Sequence, residues 1–558
     1  MAYILKQQTV NGKIHLYWAE SVYRKGQTPG QIRKYIGVLN PGNHELLKNR
    51  KLADLDSRIL SALRKAGIEY KGTAAPAPGR IPKMKRNSIS SCITYEAGRV
   101  AVLQELAEEA GLDAVLSEAF GAEAGQEILA VAMYQCCEGT ALYLGGDWLN
   151  DTILGERHIS LSSSSISRLC TKIGENDALR NDFFRDWIKQ CKYPRALVHD
   201  TTSFSSYAEK INAVEWGYNR DREDLPQINY GLVYAKETQL PLFYRLIPGS
   251  ITDVATLATT SAMLMELGLK NFSYSLDRGY FSTANLWELL KNKLDFNIGL
   301  PMNGKTGKLL DEHRRQLNSA GSLIGGKEFS IHHTEAEYEL RALGKGRPHI
   351  LQAHIYCDEQ KLARQKTELN VLLLEIMRAF ESEHFTSRYD AEEWCEQHMQ
   401  GKRELFKLNG HRAGNITLKI SEKAFAEAVK DMGVFMLLTS KPTDGMEALM
   451  INKKRDAAEK IFDTLKNSIG DGRLHGFSDE NIAGRLFLAF ITAILHSLLE
   501  NRLRKYDLLN TKYTVPSALA LLRKIKVTVG SDGTRIPNEI PKKVQTLLNE
   551  MKVELKNV

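Results

Sequence analysis

Between Ile451 and Lys466 (INKKRDAAEKIFDTLK) apolar and polar positions separate on a helical period. With Asn452 at zero and about 100° per residue, Arg455, Glu459 and Lys466 fall at roughly 300°, 340° and 320°, one narrow line. Met450, Ile451, Ala458, Ile461, Phe462 and Leu465 share an apolar stripe that only Lys454 interrupts, while Lys453, Asp456, Lys460 and Asp463 take the remaining arc. A carboxylate flanked by two cations thus borders the buried face, where it is held rigidly and still reached by a ligand. An amphipathic surface helix with ordinary charge pairs would show the same pattern.

Residues 1 to 40 instead alternate (IHLYWAESVY, IRKYIGVL) around Asn11-Gly12 and Gly26, which predicts a small antiparallel hairpin module. A helix over Leu46 to Ala66 is expected next. GTAAPAPGRIPKMKRNS, residues 72 to 88, reads as a linker whose basic cluster can lie along a phosphate backbone. From Tyr95 to about Cys191 the period is helical, with Gly111, Gly121 and Gly139 as breakers. Within it SLSSSSISRLCTKIGE (160 to 175) has the form of the second half of a helix-turn-helix, although serine runs cap helices in many proteins.

After Pro194 short apolar runs end in polar groups. ALVHDTT is a buried strand terminating at Asp200, Ile228 to Gly249 a hairpin, and FSYSLDRGYFS a strand terminating at Asp277. Ser282 caps the helix TANLWELLKNK, which returns through FNIGLP. Residues 303 to 430 have Gly-rich turns and mixed charge, with a strand at HILQAHIY and helix from Thr367 to Phe380, and read as an inserted domain. GVFMLLTS resumes strand character at Gly433. After Tyr506 come short strands near Val527 and a final helix near Lys543.

These elements define an α/β chain in seven parts: an N-terminal module (1–71), a linker (72–94), a mostly helical region (95–192), a core in two pieces (193–302 and 431–508), the insertion (303–430) and a C-terminal segment (509–558). A length of 558 residues suits several domains, and 43% hydrophobic with 25% charged residues is a soluble globular mixture. The net charge of +8, from 75 Lys plus Arg against 67 Asp plus Glu, permits a polyanion partner without requiring one. Seven cysteines form no Cys-x2-Cys pair and leave one over in any disulfide scheme, which fits a reducing compartment. No secretory signal is seen, and Leu486 to Leu495, the longest apolar run, is too short to span a bilayer, so a cytoplasmic protein without a membrane partner is expected.

Asp200 and Asp277 at strand ends and Glu459 on the core-edge helix are the candidate chemical set. A carboxylate following a buried strand stands at the rim of a sheet, where α/β proteins place their sites. Each acid alone is equally an ordinary strand-end residue, since turns favour Asp. Several carboxylates brought together repel unless cations neutralise them, and hard divalent ions with oxygen ligands do so, which points to Mg²⁺. Two such ions, with Mn²⁺ as a substitute, activate a water or a 3′-hydroxyl on one side of a phosphodiester and stabilise the leaving oxygen on the other. His199, pointing to the opposite strand face, reads as a packed core histidine. His332-His333 has no third ligand at zinc spacing, and no Gly-x4-Gly-Lys-Ser/Thr loop for a nucleotide cofactor exists.

The order Asp200-Thr201-Thr202, Pro248-Gly249-Ser250-Ile251-Thr252-Asp253, Leu276-Asp277-Arg278-Gly279-Tyr280, then Arg455-x3-Glu459-x6-Lys466 resembles the DDE transposases of bacterial insertion sequences. It is most similar to the branch whose final helix carries Tyr-x2-Arg-x3-Glu-x6-Lys, over roughly residues 95 to 510. The resemblance implies a ribonuclease H-like catalytic core interrupted by an insertion domain, preceded by a helical DNA-binding region. It also implies cut-and-paste transposition, with double-stranded DNA (terminal inverted repeats and target) as partner and a homodimer holding two ends.

By the same resemblance Asp200, Asp277 and Glu459 coordinate the metals, and Arg455 and Lys466 contact phosphates near the cleaved end. Arg278 and Tyr280, beside the second acid, are further phosphate candidates, with turn packing as the alternative. Asn452 stands where the pattern has tyrosine; it can donate a hydrogen bond to a phosphate but cannot stack. A nuclease of the same core without strand joining, and a DNA-binding protein that has lost catalysis, are the competing functions.

Overall fold

The computed structural model describes residues 3–10, 13–22, 30–39, 45–48, 55–70 and 92–555, apart from 140, 158, 209–210, 222, 318, 326–329, 342–346, 400, 412–413, 470–472 and 531. Nearly all of the expected linker lies outside them. The chain forms two compact units, residues 1–93 with 528–536, and residues 94–527 with 537–558.

In the first unit β1 (Tyr3–Val10), β2 (Lys13–Val22), β3 (Gly30–Leu39) and β4 (Leu46–Lys48) form one antiparallel sheet in that order. Val10 pairs with Lys13, and the turns read from Asn11-Gly12 and Gly26 lie outside the described residues. The helix expected from Leu46 is shorter. Residues 46–48 pair with β3, and α1 spans only Ser57–Lys65, its first turn closed by the Asp56 carboxylate accepting from the Arg58 N–H at 2.9 Å. Tertiary pairing overrides local propensity, because Leu46 is fully buried with Leu16, Ile36, Ile59 and Leu63.

The second unit opens with β5 (Ile93–Glu96), then α2 (Gly98–Ala110), α3 (Leu112–Phe120), α4 (Ala122–Glu138), α5 (Gly145–Asp151), α6 (Ser163–Glu175) and α7 (Asp177–Gln190). Gly111, Gly121 and Gly139 end helices at φ of 70°, 87° and 57°, as their spacing predicts.

A nine-stranded sheet follows, made of β6 (Ala196–Ser205), β7 (Gln227–Ala235), β8 (Leu240–Pro248), β9 (Ser273–Leu276), β10 (Asp295–Leu300), β11 (Leu323–Gly325), β12 (Ser330–Leu340), β13 (His349–Cys357) and β16 (Val434–Thr439). Their order is β11-β12-β13-β16-β10-β9-β6-β7-β8, and only β6–β9 and β9–β10 are parallel. The helices α8 (Asp253–Glu266), α9 (Thr283–Lys291) and α10 (Gly304–Leu317) connect these strands.

The expected insertion boundary at 303 therefore falls inside the sheet: β11, β12 and β13 extend it through β13–β16 pairing. What separates is a satellite core built on α11 (Glu359–Glu381), α12 (Arg388–His398), the hairpin β14 (Phe406–Asn409)–β15 (Thr417–Ile420) and α13 (Glu422–Val429). It buries Leu373, Phe380, Ala391, Cys395 and Phe406.

The remaining helices are α14 (Gly445–Lys453), α15 (Asp456–Ile469), α16 (Asp479–Lys505), α17 (Val515–Leu522) and α18 (Lys542–Met551), with β17 (Lys526–Val529) and β18 (Arg535–Pro537) between the last two. By length and composition α16 could cross a membrane, yet 78% of its apolar window is buried inside the protein. Leu486, Phe487, Phe490 and Ile491 are each completely buried, a gain of roughly 1.5–3 kcal/mol per side chain, so this helix is the axis of the unit. Phe487 meets Phe183 of α7 edge-on at 5.2 Å. The backbones of α6 and α16 touch: a Cβ on Gly484 would stand 1.9 Å from the Cys170 carbonyl oxygen, and one on Gly174 1.8 Å from that of Glu480. The helical region from residue 95 is thus packed into the same unit as the sheet. Trp187 reinforces this, its indole N–H donating to the Pro241 carbonyl of β8 at 2.8 Å.

Candidate active site

Parallel register brings the two aspartates together. β6 and β9 pair from Ala196↔Ser273 to His199↔Leu276, and the next residue on each strand is Asp200 and Asp277. Asp200 does not terminate its strand as expected; β6 runs on to Ser205, paired with β7 and, at Ser205, bridged to Arg473. The aspartates flank the point where β9 stops, so the sheet opens beside them, the type of crevice in which α/β sheets carry their sites.

Glu459 arrives from α15. The expected single helix through Ile451–Lys466 is two: α14 ends at Lys453, and the chain tightens through Lys454 and Arg455 before α15. The Arg455 N–H bonds to the Asn452 carbonyl at 2.9 Å and the Ala458 N–H to that of Arg455 at 2.8 Å, i→i−3 contacts that displace the wheel drawn at constant rotation. The Lys236 ammonium donates to the Ile451 carbonyl at 2.9 Å, holding the C-terminal turn of α14 against the strand ends.

Arg455 ties the acids together. Its guanidinium lies 2.9 Å from the Asp277 carboxylate and 3.9 Å from that of Glu459, and acts electrostatically on Asp200. The side chain is 19% exposed, and its buried Nε–H has no partner among the described residues. Glu459 is 63% exposed. Burial raises the Asp200 carboxyl from 3.8 to about 6, with repulsion from Asp277 and Asp253 adding to the rise; Arg455 and the Thr201 N–H oppose it. The three carboxylates do not close to within 4.8 Å of one another, and Arg455 is the cation among them.

A fourth acid was not singled out by the sequence. Asp253, at the start of α8, bonds the Arg220 guanidinium, which also donates to Ser203 Oγ and Asn229 Oδ1, each at 3.1 Å. Nothing local marked Arg220, which reaches the site from a loop more than thirty residues before its partner.

Tyr280, a phosphate candidate with turn packing as the alternative, has the surroundings of the alternative. It is completely buried, its hydroxyl is 2.5 Å from Thr201 Oγ1, and its ring packs on His199 at 4.8 Å, so it supports the strand that carries Asp200. His199 is the packed histidine expected; burial, with Arg245 nearby, lowers its pKa to about 3. Arg278 is exposed beside Asp277. Lys466 is paired with Asp221 at 2.5 Å, and Asn452 is half-buried on α14.

Oxygen-only donors, one from within a strand, one directly after a strand and one from a helix, with Asp200 destabilised as an anion and Arg455 as the neighbouring cation, suit hard divalent cations. Such a site, carboxylates gathered beside the end of a strand of a mixed α/β sheet, is of the type that carries the chemistry of α/β proteins. The chain belongs to the family described as "Transposase DDE domain", which matches residues 193–495, more than half of its length; it is a DDE transposase. A comparison with curated proteins gives no match. Among solved structures, the chain is similar to a piggyBac transposase in a synaptic complex with hairpin DNA. The identity is 11% over 80% of this chain and 84% of that one, with a TM-score of 0.31.

Proposed function

We propose that this chain is the transposase of an insertion sequence, cleaving DNA at the element's ends and joining the freed 3′-hydroxyls to target DNA on a ribonuclease H-like core. The order β8-β7-β6 antiparallel, then β9 and β10 parallel, supports that core. The observation that carries the reading is the adjacency of Asp200 and Asp277 in register, with Arg455 linking them to Glu459.

Asp200, Asp277 and Glu459 would hold two Mg²⁺ ions, for which Mn²⁺ can substitute. When bound, these ions would favour deprotonation of the attacking water or 3′-hydroxyl and neutralise charge on the leaving oxygen. The residues of the chain do the positioning. β6 and β9 fix the aspartates, and the exposed Glu459 closes on them once Arg455 turns from the carboxylates to a phosphate. Arg278 and Lys466 bind flanking phosphates, Lys466 after releasing Asp221. Two copies of the chain hold the two ends of one element.

Glu459→Gln should still retard labelled terminal-repeat DNA in a gel and leave it uncut in Mg²⁺. Cleavage at the wild-type rate would overturn the assignment of Glu459. Plasmid targets separate transposition from plain hydrolysis, since nicking without joined products leaves only a nuclease.

A further inference from the structure

We propose a second metal site, far in chemistry from the acidic one, formed by His333, Glu335 and His354 and selective for borderline divalent cations of the Zn²⁺ and Co²⁺ type. The His332-His333 pair has no third ligand nearby in sequence; the sheet supplies it. β12 and β13 are antiparallel with Glu335 opposite His354, and His333, two residues from Glu335, projects from the same face. The ligand atoms of all three lie within 4.8 Å of one another, the closest such His, Cys, Asp and Glu grouping among the described residues.

The geometry is that of a coordination pair. His333 Nε2 and His354 Nδ1 are 3.2 Å apart. Two nitrogens bound to one tetrahedral Zn²⁺ at about 2.0–2.1 Å stand roughly 3.3 Å from each other, so the rings need almost no movement. A shared proton would give the same separation, and the test below distinguishes the two. The other nitrogen of His354, Nε2, lies 3.3 Å from Thr439 Oγ1, the outer hydrogen bond that fixes the tautomer and leaves Nδ1 free to ligate. His354 is completely buried, His333 half-buried and Glu335 exposed, which gives an anchored site open on one side. His333 is wedged against α14, since a Cβ on Gly445 would stand 2.1 Å from its Cε1, and Asp444, the cap of that helix, adds negative charge facing both rings.

Two imidazoles and one carboxylate favour nitrogen-preferring metals over Mg²⁺. The ion would clip β12 to β13 at the point where His333 packs against Gly445, at the start of α14.

The test uses the full chain carrying Asp200→Asn and Asp277→Asn, so that the acidic site contributes no binding. After gel filtration in Mg²⁺ buffer the parent should retain one equivalent of Zn²⁺ by elemental analysis and, reloaded with Co²⁺, show visible absorption of a nitrogen-ligated ion. Adding Glu335→Ala or His333→Ala should remove that equivalent and the absorption. Glu335 is exposed, so its variant stays folded even if loss of a histidine does not. Absence of bound Zn²⁺ from the parent, or its retention by both variants, would overturn the proposal and leave a hydrogen-bonded histidine pair.

Discussion

Replacing Asp200 by asparagine should abolish cleavage and yet stabilise the metal-free protein, by an amount that depends on pH. Burial, with Asp277 and Asp253 facing it, lifts the Asp200 carboxyl from 3.8 to about 6 in the fold. The folded pKa lies above the unfolded one, so the protonated form is favoured by folding. Its contribution is complete below about pH 4 and is lost as pH rises through about 6. A shift of about 2 units at ~1.36 kcal/mol each makes the ionised carboxylate a cost of up to about 3 kcal/mol near neutrality, roughly half of it already present at pH 5. Asparagine keeps the shape and the acceptor for the Thr201 N–H without the charge. In EDTA, urea unfolding at pH 4, 5 and 7.5 should show the variant gaining on the wild type at each step, and Mg²⁺ should then restore stability to the wild type alone. A gap that does not change with pH, or that favours the wild type at pH 7.5, would refute the electrostatic account of this site.

Two further substitutions test the supporting cast. Tyr280→Phe removes the hydroxyl that meets Thr201 and leaves the ring on His199, so stability should fall by about 1–3 kcal/mol in thermal melts while DNA affinity stays unchanged; weakened binding instead would return Tyr280 to the DNA interface. Lys466→Gln should lower the slope of log affinity against log salt by about one, whereas Asp221→Asn, which frees the same ammonium, should tighten binding. An unchanged slope in the first variant would place Lys466 outside the phosphate path.

What could be read in the sequence depends on whether the signal is local. ALVHDTT and GVFMLLTS form strands from contiguous apolar residues with polar ends, FSYSL forms one from apolar residues alternating with serines, and the glycines at 111, 121 and 139 end helices because each needs positive φ. That the stretch after residue 303 contributes strands to the main sheet was not legible for the opposite reason: β12 alternates like any half-exposed strand, and its pairing through β13 to β16 is what joins it to that sheet. The helix wheel failed at Lys454 and Arg455, where hydrogen bonding shifts to i→i−3 without any proline or glycine to announce it.

The same distinction explains the acids. Asp200 looked like a strand end because polar residues follow it, but Thr201 to Ser205 are buried β6 residues that pair with β7. What ends at that level is the neighbour, β9. An aspartate in mid-strand has a backbone hydrogen-bonded on one side and an open flank on the other, which is stiffer than a loop and as accessible as one. The cost of the arrangement appears in the raised pKa of Asp200, and the cation that offsets it in the protein alone is Arg455. Under the proposed function, a group that neutralises carboxylates in the resting state and is basic enough to take a phosphate instead would give DNA a direct means of uncovering the acids, and the short turn between α14 and α15 is what sets Arg455 between Asp277 and Glu459.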